Sequence, residues 1–289
     1  QPLKEISNKF AVLQHALASL EKIFGLFNES EVVPQNEQQL VNFSGKLLIH
    51  NMAFAYPTHP NKQVLKNISF SVEPGQTIAI VGPTGSGKSS IIKLLLGLYE
   101  GYGGSIQLDG QELRDLNISS LRQNIVTVGQ DSQLFNRSVA FNISLGNSTI
   151  TDESILNALS LAKADYIIDK LPQGIHSSIH QFGQQLSAGE AQLIGFARAL
   201  ATPAPLILLD EATANVDSLS EHAIQQATEA LLSKKTVIVI AHRLSTIKHA
   251  DVIIALKDGK IIEQGSHDEL IQEKGFYSKL YHMQFETLS

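Results

Sequence analysis

The chain has 289 residues, 43% of them hydrophobic, enough for one large or two medium globular units with a real core. Its 22 lysines and arginines against 28 aspartates and glutamates leave a net charge of −6, which argues against holding a nucleic-acid backbone by bulk electrostatics. The absence of cysteine excludes disulfides and thiolate metal sites, and no stretch approaches the roughly 18 apolar residues of a membrane span, so the chain as it stands is expected to be soluble.

Residues 3–27 differ from the rest. Leu3, Ile6, Phe10, Leu13, Leu17, Leu20, Phe24 and Phe27 follow one another at steps of three and four, an a/d pattern that predicts one long helix with a narrow apolar seam. Such a helix either docks on its own domain or packs on other helices outside this chain; a strict 3.5 period suits helix pairing better. A polar linker is expected over 28–44, with the body beginning at 45.

From there the pattern is α/β. The runs 77–81, 206–209 and 236–240 are short, apolar and β-branched, as buried parallel strands are, and a helical stretch follows each. Residues 46–72 and 104–109 look antiparallel. Residues 152–200 read as mostly helical, an insertion between the first core strand and the later ones. It ends in QQLSAGEAQLIGFARAL, where a small polar run gives way to a helix with Leu193, Phe196, Ala197 and Leu200 on one face.

The most informative stretch is GPTGSGKS, residues 82–89, which fits G-x-x-x-x-G-K-[ST] directly after an apolar strand and directly before an apolar helix. Gly82, Gly85 and Gly87 let the backbone turn its N–H groups inward, forming an anion nest at a helix N-terminus. Lys88 offers a point charge to β- and γ-phosphates, and the Ser89 hydroxyl is a hard oxygen ligand for Mg²⁺. Farther on, LILLDEAT puts Asp210 and Glu211 at the end of a buried strand, where ligands collect in α/β sheets. Asp210 suits the Mg²⁺ shell and Glu211 suits polarising an attacking water, although two carboxylates at a strand end also serve as a helix cap. His242 ends another strand; in its neutral form it can both donate to a γ-phosphate and accept, or it can be purely structural.

With these pieces in order, residues 46–285 resemble the nucleotide-binding domain of an ATP-binding cassette (ABC) transporter of the exporter type. The resemblance implies a P-loop NTPase fold: a RecA-like parallel core sheet, an antiparallel β subdomain, and a helical subdomain at about 131–200 carrying the signature motif. It implies ATP and Mg²⁺ as cofactors. Gly82, Pro83, Thr84, Gly85, Ser86, Gly87, Lys88, Ser89 and Ser90 would hold the phosphates. Gln130, in VTVGQDSQLF, would join the metal to a membrane domain. Tyr56, in FAYP, would stack on adenine, a contact worth about 1–3 kcal/mol. Asp217 falls on the loop after the catalytic glutamate, and His242 on the switch histidine. The family's L-S-G-G-Q signature lands on Leu186, Ser187, Ala188, Gly189 and Glu190.

The resemblance also implies a head-to-tail partner, a second such domain in a homo- or heterodimer, with the signature touching the partner's ATP. The place implied is the cytoplasmic face of a membrane, expected to be a bacterial inner membrane, driving export through a transmembrane domain that lies outside this chain. Residues 1–27 resemble the cytoplasmic extension of that domain's last helix. Soluble relatives acting on DNA or ribosomes carry a long coiled coil or two cassettes, and this chain has neither; a regulatory binder without turnover sits poorly with Glu211 and His242. Two departures remain. Ala188 replaces a glycine, where a methyl group would crowd ATP or forbid a positive φ, and Glu190 replaces a glutamine, bringing negative charge towards a polyanion. Both are expected to weaken the signature, which leaves open a heterodimer with one weak site or a homodimer that tolerates the change.

Overall fold

The computed structural model describes residues 2–28, 36–129, 132–179, 186–210, 218–241 and 243–283. It divides into two units, residues 1–35 and 36–289.

The first unit is a single helix, α1 (Pro2–Asn28). Its seam residues Ile6, Phe10, Leu13, Leu17, Leu20, Phe24 and Phe27 are all exposed. Among the described residues no helix is long and apolar enough to cross a membrane.

The second unit is built on two sheets. Strands β1 (Leu47–Ala55), β2 (Gln63–Val72), β4 (Tyr102–Leu108) and β5 (Gln111–Glu112) form an antiparallel sheet in the order β2-β1-β4-β5. Strands β3 (Thr77–Val81), β6 (Ile125–Val128), β7 (Leu206–Asp210), β8 (Thr236–Ile240), β9 (Val252–Lys257) and β10 (Lys260–Gly265) form the central sheet in the order β10-β9-β3-β8-β7-β6. All its pairings are parallel except that of β9 with β10. Helices α2 (Lys88–Leu95), α3 (Ile118–Asn124), α8 (Ser218–Leu232) and α9 (Leu244–Lys248) connect the strands. The helical layer comprises α4 (Val139–Ser144), α5 (Asp152–Leu161), α6 (Asp165–Asp169) and α7 (Ala188–Ala201), and α10 (His267–Gln272) and α11 (Phe276–Tyr281) follow β10.

Strands β3, β7 and β8 are apolar between their terminal residues because both faces of the sheet are covered there. Successive strand residues point to opposite sides. Ile78, Ile80, Leu206, Leu208, Ile238 and Ile240 join a core with α2 and the antiparallel sheet, while Ala79, Val81, Ile207, Leu209, Val237 and Val239 join a core with the helical layer. This is why no polar residue alternates into these runs.

Two boundaries differ from the sequence expectation. The helical insertion follows β6, a second core strand at the sheet edge, rather than the first core strand. The packed body begins within the stretch read as linker: Leu40 and Phe43 are buried against the antiparallel sheet, and the Leu40 amide donates to Ser120 Oγ at 2.8 Å.

Candidate functional site

The carboxyl ends of the central strands open on one edge. Val128 of β6 is level with Leu209 of β7, Asp210 with Ile240 of β8, and Ile80 of β3 with the same Ile240. In open α/β sheets this edge is where ligands bind.

The loop that leaves β3 there admits only glycine at two positions. Gly82 has φ +152°, and a Cβ on it would overlap the carbonyl of Leu256. Gly87, the N-cap of α2, has φ +109°, and its Cβ would lie 2.6 Å from Leu65 Cδ2. The β9–β10 hairpin holds the loop from outside, with the Gly259 amide donating to the Ser86 carbonyl at 3.1 Å. Inside, Lys88 is buried as the first residue of α2, and its Nζ donates to the carbonyls of Gly82 at 2.7 Å and Pro83 at 3.1 Å. Burial pushes the Lys88 ammonium below its ordinary value, and the Asp210 carboxylate at the end of β7 pulls the other way. Ser86 Oγ is the one buried side-chain polar atom without a hydrogen-bond partner among the described residues.

A loop held in shape by glycines at positive φ, a buried hydroxyl with nothing to bond, and a cation resting on its own loop carbonyls together fit an anion with several oxygens. Ser89, exposed on the first turn of α2, and Asp210 are hard oxygen donors of the kind Mg²⁺ takes.

Tyr56 stands just beyond β1. Its hydroxyl and Ser90 Oγ are 2.9 Å apart, which ties the ring to the first turn of α2. Phe54 and Tyr99 meet that ring edge-on, at 5.0 and 5.2 Å between centroids. A cleft of about 500 Å³ opens beside it, lined by Pro57, Pro60, Gln63 and Tyr99. The predicted base platform and the phosphate loop are thus one connected assembly.

The predicted signature opens α7. Ser187 is the N-cap; its Oγ accepts from the Glu190 amide at 3.1 Å, and Glu190 Oε2 accepts from the Ser187 amide at 2.9 Å, a reciprocal capping box. Ala188 is the first residue of the helix, with helical backbone, and is exposed; Gly189 is buried. The expected conflict between Ala188 and a positive φ does not arise, because a first helical position takes alanine readily. The Glu190 carboxylate is turned back on its own helix start and also meets Lys170 Nζ at 3.3 Å. Lys170 was not singled out from sequence, and a partner 20 positions upstream leaves no local pattern to find.

Four predicted residues, Gln130, Glu211, Asp217 and His242, lie outside the described residues. Ser89, Asp210, Lys88, Ser86 and Tyr56 are gathered at or beside the sheet edge, whereas Ser187 to Glu190 stand on the helical layer.

Fold and loop define a nucleotide-binding protein of the P-loop class, in which a strand, a glycine cradle and a helix N-terminus present a lysine to phosphates. The chain belongs to the ABC transporter family, whose profile matches residues 65–214. It is 40% identical over 289 residues to an uncharacterised ABC transporter ATP-binding protein of Bacillus subtilis, covering 99% of this chain and 47% of that protein. It is 42% identical over 284 residues to the ATP-dependent lipid A-core flippase of Pseudomonas aeruginosa, covering 98% and 47%. A solved bacterial Atm1-family ABC exporter with ATP bound superposes with a TM-score of 0.79 at 34% identity, over 96% of this chain and 48% of that one. The chain therefore spans about half the length of the relatives it matches.

Proposed function

We propose that this chain is the ATPase part of an ABC exporter: it binds MgATP, pairs head-to-tail with a second nucleotide-binding domain around two ATP, and hydrolyses it to drive export through a transmembrane domain. The observation that carries this reading is the glycine cradle between β3 and α2, with Lys88 held on its own loop carbonyls and Ser86 Oγ unsatisfied. Family membership and the likeness to an exporter with ATP bound support it.

In this reading the backbone amides of 82–89 and Lys88 take the phosphate oxygens, and Tyr56 stacks on the base. Ser89, Asp210 and Gln130 would hold Mg²⁺, which would supply neutralisation of the phosphate charge when bound. Glu211 accepts a proton from water as the water oxygen attacks the γ-phosphorus and the bond to the β-phosphate oxygen breaks, leaving ADP and phosphate. His242 holds the γ-phosphate and the water in line. Ser187 and the first amides of α7 approach the partner's γ-phosphate. Membrane association comes through the transmembrane domain, towards which α1, with its exposed seam, extends as a connecting helix.

The test is Glu211→Gln. ATP is expected to drive dimerisation, seen by sedimentation, while turnover falls by about 10²–10⁴. Hydrolysis at the parent rate would overturn the assignment of the base. Turnover of the parent chain that rises with the square of its concentration would rule out an obligate partner of different sequence.

A further inference from the structure

The geometry points to Lys170 as a positioning residue for the signature, and this rests on the reading that Ser187 and α7 act on a partner's ATP. A carboxylate at position 190 is a liability at a surface meant to receive a triphosphate, since like charges repel most where water is excluded. The structure answers that liability in two ways. The capping box turns Glu190 Oε2 back on the Ser187 amide at 2.9 Å, and Lys170 Nζ meets Oε1 at 3.3 Å. Each oxygen of the carboxylate therefore has its own cationic or N–H partner.

Lys170 is held in place from a second side, with its Nζ 4.9 Å from the centre of the Tyr166 ring. Lysine, tyrosine and the capping box together wall a hollow of about 480 Å³ at the start of α7, to which Lys163 and His222 also contribute. The Lys170 side chain is 60% exposed and that of Glu190 16%, so in the free chain the pair adds little to folding. Its effect falls on closure, when the facing domain removes water and the uncompensated charge of Glu190 would oppose the γ-phosphate. Lys170 makes the LSAGE signature electrostatically equivalent to one with glutamine.

A charge-swap series in the 289-residue chain, with Glu211→Gln to arrest turnover, tests this by the ATP concentration that gives half-maximal dimer in sedimentation velocity. Lys170→Met is expected to raise that concentration about tenfold, a 1.4 kcal/mol effect at 25 °C. Lys170→Arg is expected to stay within twofold of the parent. Adding Glu190→Gln to Lys170→Met is expected to bring the value back to within twofold, because glutamine keeps the capping box and removes the charge. The thermal midpoint and the affinity of the monomer for a fluorescent ATP analogue are expected not to move in Lys170→Met. The inference is overturned if Lys170→Met dimerises like the parent, if Glu190→Gln does not rescue it, or if Lys163→Met does the same harm. If the Glu211→Gln parent forms no dimer with ATP, the head-to-tail reading falls and takes this inference with it.

Discussion

Among the described residues, Ser187 and Ser266 start helices with the same S-x-x-E capping box, and only Ser187 belongs to the predicted signature. Ser187 caps α7 and Ser266 caps α10, each with a glutamate at the third helical position returning the bond. Replacing either serine by alanine strands one amide, a loss of about 0.5–2 kcal/mol in general. Both sites are open to water, so about 0.5–1 kcal/mol is expected here, or a fall in thermal midpoint of roughly 1–4 °C for a body of this size. The hydroxyls differ in what else they do. Ser266 Oγ donates to Glu269 Oε2 at 2.8 Å, whereas Ser187 Oγ only accepts, from the Glu190 amide, among the described bonds. A hydroxyl has one proton and two lone pairs, so in the proposed reading Ser187 has its O–H left for a phosphate oxygen while still capping the helix. A hydrogen bond to a charged group is worth about 1.5–3 kcal/mol, which converts to about 10–150-fold. Ser187→Ala is therefore expected to raise the ATP needed for dimerisation by that factor in the Glu211→Gln background, and Ser266→Ala not at all, although both lose similar stability by scanning calorimetry. Equal effects of the two substitutions on dimerisation would refute the role of Ser187 and reduce its effect to helix stability.

Two further outcomes follow from the buried cation and from the C-terminal helices. Lys88→Met is expected to lower MgATP affinity about 10–150-fold by calorimetric titration, through the same charged hydrogen bonds. The chain without nucleotide is expected to keep or gain stability, because the ammonium sits in a site whose burial already disfavours its charge. For His267, burial holds the imidazole below its ordinary value, with the Asp268 carboxylate pulling the other way, and its Nδ1 is 2.7 Å from the Tyr277 hydroxyl. The folded pKa lies below the unfolded one, so protons bind more readily to the unfolded chain. The stability this group contributes is present above about pH 6.5 and is lost as pH falls through the folded value. The thermal midpoint of His267→Asn is expected to fall less than the parent's between pH 7.5 and 5.5; parallel curves would show that His267 does not titrate with folding.

What sequence revealed and what it hid follow from how local each cause is. The cradle at 82–89 was legible because its demands fall on consecutive residues: glycine at positive φ, lysine at the helix start, an apolar strand before and an apolar helix after. The seam of α1 was legible from period alone. Strand β6 was not, because at four residues, with Val126 and Thr127 less buried than the strand ends, it carries almost no pattern. Leu40 and Phe43 are isolated apolar residues in a polar stretch, and only the antiparallel sheet that covers them distinguishes packing from linker. The β9–β10 hairpin had a readable sign, Asp258-Gly259, both at positive φ as a type I′ turn needs. Its contact with the phosphate loop through the Gly259 amide had none.

Ala188 and Glu190 show where comparison with a family pattern misleads a physical reading. Against L-S-G-G-Q, alanine looks like an obstruction and glutamate like a repulsive charge. Against the rules of a helix start, Ser187-Ala188-Gly189-Glu190 is a cap, a good first helical residue, a buried glycine, and an acid at the position where it both returns the capping bond and faces the positive end of the helix dipole. The backbone objection to Ala188 therefore disappears, and the charge of Glu190 is the departure for which the structure supplies a counterpart. Glutamine satisfies the same capping bond without a charge, so the cost of glutamate appears only when a second anion arrives. Under the proposed head-to-tail pairing, that places the deciding residue outside the signature's own five residues, at Lys170 on α6's C-terminal flank.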